Sequence, residues 1–264
     1  MTTVPYWHVD AFADRPFTGN PAAVMLLDHW LDEAVLQAIG EENNFAETAF
    51  CVPDSSGEAD WELRWFTPTV EIRLCGHATL AAGHVLLGRE PEREVVRFRT
   101  RKAGVLEVQR EGDGYEVALP AISTQPGEWP EAVAALGKQP LEVWRSPDRY
   151  NVFVYGSEDD VCAIDPDFRA LAALGEDSFT VTAPGRETDI VSRVFVPGSG
   201  VDEDPVTGSA HAVLTPLWCG KLGRENFTAR QASMRGGLLT CRLEGGRAWL
   251  GGSCVTVVEG TFRF

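Results

Sequence analysis

Residues 64–68 read Arg-Trp-Phe-Thr-Pro, and residues 193–197 read Arg-Val-Phe-Val-Pro. Repeats come first, because a missed repeat misassigns the whole fold. Working outward, Gly76 follows the first segment and Gly208 the second, and each opens an apolar helical stretch, 76–88 and 208–220. Beyond the helices, Gly104 precedes the strand Val105–Val108, and Gly237 precedes the strand Leu238–Cys241. Glycine turns close both strands, at Gly112–Gly114 and at Gly245–Gly246. Upstream, Leu36 to Phe45 resembles Leu171 to Phe179, each a short helix, a glycine and then a strand. Four matches in one order predict two halves of one design.

The halves are expected at 1–120 and 121–264, joined where Pro120, Pro126 and Gly127 supply a connector. The last strand is a candidate to return to the first half. Trp61–Phe66, Val95–Thr100, Glu116–Leu119, Val152–Tyr155, Val191–Val196 and Ala248–Gly251 read as further strands. The segment Ala78–Leu87 is apolar nearly all round, so it belongs at the centre of its domain. Its counterpart, Ser209 to Gly220, contains Pro216, which predicts a kink or an early end.

Composition bounds the function. The 264 residues carry a formal charge of -16, which argues against nucleic acid and anionic membranes as partners. No apolar run reaches the roughly 20 residues that span a bilayer, and no charged leader precedes an apolar stretch. A cytoplasmic protein is expected. Six cysteines without CxxC spacing suit reduced thiols, and no HExxH is present, so neither a metal nor an organic cofactor is expected.

Two buried helices that start at glycines offer two anion sites, since free N–H groups and the positive dipole end favour a carboxylate. Gly76 and Gly208 also suit plain tight turns. Cys75-Gly76-His77 sits at the first start and Glu203-Asp204-Pro205-Val206-Thr207-Gly208-Ser209 at the second. At a helix start the charged imidazole is disfavoured, so His77 is expected to be neutral and donating, or else purely structural. Asp204 precedes a proline and can simply cap the turn. Glu47 lies in the strand-like run Asn44–Cys51 among Phe45, Ala46, Ala49 and Phe50. That apolar setting would raise its pKa toward the range useful for proton transfer. An exposed strand glutamate fits the same pattern.

Taken together, Asp10-Ala11-Phe12, Phe17–Val24 (FTGNPAAV), Glu47-Thr48-Ala49-Phe50, Arg64–Pro68, Leu74–Leu80 (LCGHATL), Glu203–His211 (EDPVTGSAH) and Gln231–Gly237 (QASMRGG) resemble the phenazine-biosynthesis-like, or PhzF-like, family. The resemblance implies an α+β fold of the diaminopimelate-epimerase type. In it, two pseudo-repeated domains each curl a mostly antiparallel sheet around a central helix, with an active site in the cleft between them. It also implies cofactor-free proton movement within a small carboxylated substrate, and a homodimer. By the same resemblance Glu47 is the acid/base, and His77, Asp204 and Ser209 line the site. The amides of Gly76 and Gly208 would hold the substrate carboxylate, with Cys75 at the first helix start and Asn20 in the GNP turn beside the cleft.

Two departures stand out. Many relatives carry serine where this chain has Ala46. Two-cysteine racemases place a thiol at each helix start, but the second start here reads Asp204-Pro205-Val206-Thr207, with Cys219 too far along. An amino-acid epimerase using Cys75 and Glu47 is the alternative enzyme. A catalytically idle, protein-binding fold is the alternative of another class, and the joint presence of Glu47, His77 and Asp204 argues against it.

Overall fold

The computed structural model describes residues 1–264, which divide into two compact units: Met1–Leu119 with Gly251–Phe264, and Pro120–Leu250. The first contains β1 (Thr3–Ala11), β2 (Asn20–Leu26), α1 (Glu33–Asn43), β3 (Glu47–Pro53), β4 (Trp61–Phe66), β5 (Glu71–Ile72), α2 (Gly76–Arg89), β6 (Val95–Thr100), β7 (Val105–Glu111) and β8 (Gly114–Pro120). The second contains β9 (Gln125–Pro126), α3 (Pro130–Leu136), β10 (Glu142–Arg145), β11 (Tyr150–Val154), α4 (Glu158–Cys162), α5 (Phe168–Ala173) and β12 (Ser178–Pro184). It continues with β13 (Ile190–Val196), β14 (Val201–Glu203), α6 (Gly208–Leu222), β15 (Asn226–Gln231), β16 (Gly237–Glu244) and β17 (Arg247–Gly252). The final strand, β18 (Cys254–Arg263), pairs antiparallel with β1 in the first unit. No helix is long and apolar enough to cross a membrane.

The sequence repeat is a repeat of strand pairings. In the first unit β1–β2 is antiparallel, β2–β3 parallel, β3–β4 and β4–β5 antiparallel, β4–β6 parallel and β6–β7 antiparallel. The second unit repeats that series as β10–β11, β11–β12, β12–β13, β13–β14, β13–β15 and β15–β16, each with the matching sense. Each unit is thus a curled mixed sheet with one long helix, an α+β architecture.

The Arg-x-Phe-x-Pro segments hold a corner in each unit. Arg64 donates from Nε and Nη2 to the two carboxylate oxygens of Glu71, at 2.7 and 2.8 Å, and its guanidinium lies 5.0 Å from the Phe66 ring centre. Arg193 grips Glu203 the same way, at 2.8 and 2.9 Å, with its guanidinium 4.9 Å from the Phe195 ring centre. Each fork ties the long strand to the short one that returns beside it, and proline then ends the strand.

α2 is buried on every side, with only His84, Gly88 and Arg89 outside the core, and packs against β1, β2, β3, β6 and β7. At Gly83 a Cβ would stand 2.3 Å from Val108 Cγ1, so β7 approaches the helix backbone itself. α6 packs against β11, β15 and β16. Of the two outcomes expected at Pro216, the early end is not found: the helix runs to Leu222. A proline at that position cannot donate to the Ala212 carbonyl, and Ile122 N–H does so instead, at 3.1 Å. The upstream echo also differs in detail. Gly40 lies inside α1, where a Cβ would stand 3.0 Å from the Thr67 carbonyl, whereas Gly175 follows α5 with φ +112°.

His211 on α6 is fully buried, with Nδ1 2.9 Å from the Thr207 carbonyl and Nε2 3.4 Å from Ser192 Oγ. Burial, partly offset by the Thr207 carbonyl, pulls its pKa down to about 4. The unfolded chain therefore takes up a proton near pH 6.5 that the folded chain refuses. Stability from this residue is complete above about pH 6.5 and falls by on the order of 3 kcal/mol as pH drops to about 4. Urea unfolding of the native protein and His211→Gln across that window should show a steeper acid loss in the native chain. Parallel slopes would contradict the assignment. Gly83→Ala is expected to destabilise by about 1–2 kcal/mol, because overpacking against Val108 outweighs the gain in helix propensity of about 1 kcal/mol. The same urea assay reads it, and adding Val108→Ala should restore part of the loss.

Candidate active site

Glu47 opens β3, and β2 runs parallel beside it with Ala22 opposite Glu47. Two residues earlier, Asn20 opens β2 and is fully buried. The preceding Gly19 has φ +65°, and a Cβ there would stand 2.2 Å from the Ala11 carbonyl. Only glycine fits this turn, which drives Asn20 inward. On the other side, the β5–α2 connection delivers Cys75 and His77 to the start of the buried helix. Neither α2 nor α6 has a side-chain cap at its N-terminus. The first N–H groups of an α-helix have no partner within it, so both starts face outward as donors.

Four side chains converge in the first unit. His77 Nε2 lies 3.0 Å from Glu47 Oε2, while Nδ1 lies 3.2 Å from Asn20 Nδ2 and 3.5 Å from Cys75 Sγ. The 3.0 Å pair is within ion-pairing distance but lacks hydrogen-bond alignment, so both atoms are buried without a hydrogen-bond partner. Atoms held close by charge yet aimed elsewhere are suited to a third group that bears a proton.

The sequence expectation of a neutral His77 is corrected here. Burial opposes its charge, but Cys75 and Glu47 together outweigh burial and hold its pKa well above the usual imidazole range. Burial first, and Glu47 second, push the Cys75 thiol up to about 11. Glu47, Cys75 and His77 place one donor atom each within 4.8 Å of one another, a donor set that zinc accepts. The thiol meets the ring at Nδ1 and the carboxylate meets it at Nε2.

In the second unit, Asp204, Gly208 and Ser209 sit at the start of α6. The Thr207 hydroxyl donates to Asp204 Oδ2, and Ser233 Oγ donates to the Pro205 carbonyl at 2.7 Å. Gln231, fully buried, stitches this turn: its Oε1 accepts from Thr207 N–H at 2.8 Å and its Nε2 donates to the Asp204 carbonyl at 2.7 Å. Sequence reasoning did not single out Gln231. Its signal was present in the alternation of β15, where Phe227, Ala229 and Gln231 share the buried face, leaving one polar side chain that needs partners.

Residues 9–260 match the family model described as phenazine biosynthesis-like protein. An uncharacterized isomerase of Pseudomonas aeruginosa is 48% identical over 260 residues, covering 98% of both chains. The crystal structure of a phenazine biosynthesis protein of the PhzF family from Enterococcus faecalis superposes with a TM-score of 0.92 at 42% identity, covering 100% of both chains. A hydroxyproline epimerase from Agrobacterium vitis shares the fold alone, with a TM-score of 0.63 at 11% identity, over 98% of this chain and 92% of its own. By sequence and by fold, this chain belongs to the phenazine biosynthesis-like isomerase family.

Proposed function

We propose that the protein is a cofactor-independent isomerase that moves a proton within a small carboxylated substrate, with Glu47 as the acid/base. The observation that carries this reading is the Glu47–His77 pair, buried, 3.0 Å apart and unsatisfied in hydrogen bonds. Glu47 removes a proton from a carbon activated by the substrate's carboxyl group, and the electron pair moves into the adjacent π system. The protonated Glu47 then returns the same proton to a different carbon, so no atom is gained or lost. The N–H groups of Gly76 and His77 at the start of α2 hold the carboxylate and stabilise the charge that develops on it. His77 faces Glu47 across 3.0 Å, and Asn20 orients the ring from its other nitrogen. In the second unit, Gly208 and Ser209 offer a helix start of the same kind for a carboxylate, with Asp204 held beside it.

The epimerase alternative needs two bases on opposite faces of one carbon. Cys75 and Glu47 instead touch the two nitrogens of a single ring, and burial raises the pKa of the thiol. The one-base reading is favoured.

Glu47→Gln keeps the shape and most contacts but cannot carry the proton. Its kcat should fall by about 10²- to 10⁴-fold with a much smaller change in KM. The assay is solvent-deuterium exchange into small carboxylic acids, followed by mass spectrometry. Cys75→Ala should retain considerable activity on the same substrate. Near-normal turnover in Glu47→Gln together with a dead Cys75→Ala would overturn the assignment and promote the epimerase.

A further inference from the structure

Glu47, Cys75 and His77 bring three unlike metal donors to one point of the first unit. A carboxylate oxygen, a thiol sulfur and an imidazole nitrogen lie within 4.8 Å of one another. Glu47 opens β3, far upstream of the other two, so no ligand spacing in the sequence announces the cluster. His77 is 4% exposed and Cys75 5% exposed. Glu47 Oε2 and His77 Nε2 are both buried without a hydrogen-bond partner. Buried polar atoms left in this way cost free energy that a bound group recovers.

The spacing suits an ion of the size of zinc. With metal–ligand distances of about 2.0 to 2.3 Å, tetrahedral ligand atoms stand about 3.3 to 3.6 Å apart. Oε2 and Nε2 stand 3.0 Å apart, a few tenths short of that. The sulfur lies within 4.8 Å of the other donors, so a swing of the Cys75 side chain by about 1 Å completes the set. A ring that ligates through Nε2 keeps its hydrogen on Nδ1. The Asn20 amide, 3.2 Å from Nδ1, accepts that hydrogen once its oxygen is turned to the ring. A thiolate and an imidazole select zinc-like ions over magnesium, which prefers oxygen ligands.

We propose that Glu47, Cys75 and His77 form a site for a single zinc-class divalent ion, which occupies the acid/base and halts proton transfer. The protons on the thiol and on Nε2 leave to solvent as the ion binds. The carboxylate and the thiolate set two negative charges against the ion's two positive ones, so the positive start of α2 faces a neutral cluster. Glu47 Oε2 then holds the ion and cannot accept a proton from a substrate carbon. This loss of turnover rests on the reading of Glu47 as the acid/base. The binding itself does not.

The test is titration of the metal-free full chain with cobalt(II), which replaces zinc and reports a thiolate ligand by a charge-transfer absorption band. The band should saturate at one cobalt per chain, and zinc should displace it where magnesium does not. Cys75→Ala should abolish the band, while Cys162→Ser, whose thiol is exposed elsewhere, should leave it unchanged. Glu47→Gln keeps the shape of the side chain and should weaken cobalt binding by at least about 10- to 100-fold, the effect of losing even an outer-shell partner. In the deuterium-exchange assay, saturating zinc should stop exchange in the native chain and a chelator should restore it. No band, a band that survives Cys75→Ala, or native affinity in Glu47→Gln would overturn the site. The cobalt arm needs no substrate, so it holds or fails whatever reaction the protein catalyses. Exchange that continues at saturating zinc would overturn the switch.

Discussion

α2 has no polar face, and eleven of its fourteen residues are buried, so no single flat sheet could cover it. Strands must surround it, and β1, β2, β3, β6 and β7 do. A helix enclosed in this way reaches the outside only through its ends. Its N-terminus has no side-chain cap and carries the positive end of the helix dipole, which is why the proposed carboxylate contact falls at its tip. The residues beside that tip, Cys75 and His77, are fixed by the helix, and Glu47 and Asn20 are fixed by the first residues of two wrapping strands. Position at the site is a by-product of packing.

The two halves show which parts of such a design tolerate change. The guanidinium–carboxylate forks at Arg64–Glu71 and Arg193–Glu203 agree within 0.1 Å, and the stacked phenylalanines agree equally well. They are part of how each sheet turns its corner. At the helix starts the backbone glycine recurs while its neighbours differ, Cys and His in one half, Thr and Ser in the other. Reactivity has been varied on a constant frame.

Much of that frame was legible before any coordinates. Trp61–Phe66 and Val95–Thr100 match β4 and β6 residue for residue, because both are bounded by turn or polar residues and rich in β-formers. Glycines marked both helix starts. What escaped detection depended on distant partners. Pro216 is tolerated because Ile122, far away in sequence, supplies the missing donor. His77 owes its raised pKa to Cys75 beside it and to a carboxylate thirty residues upstream, and the helix start taken alone suggested the opposite. β18 is largely exposed and carries no clean alternation, so only its ladder with β1 reveals it as a strand.

That ladder has a consequence for synthesis. β1 is flanked by β2 on one edge and β18 on the other, and Thr2 and Phe264 exchange backbone hydrogen bonds at 2.7 and 3.1 Å. On a ribosome, β18 emerges only after the whole of Pro120–Leu250. The half made first therefore waits with an open strand edge, while the half made second already has all its strands when it leaves the tunnel. Such an edge is a template for pairing with other nascent chains. That edge closes only when β18 pairs with β1.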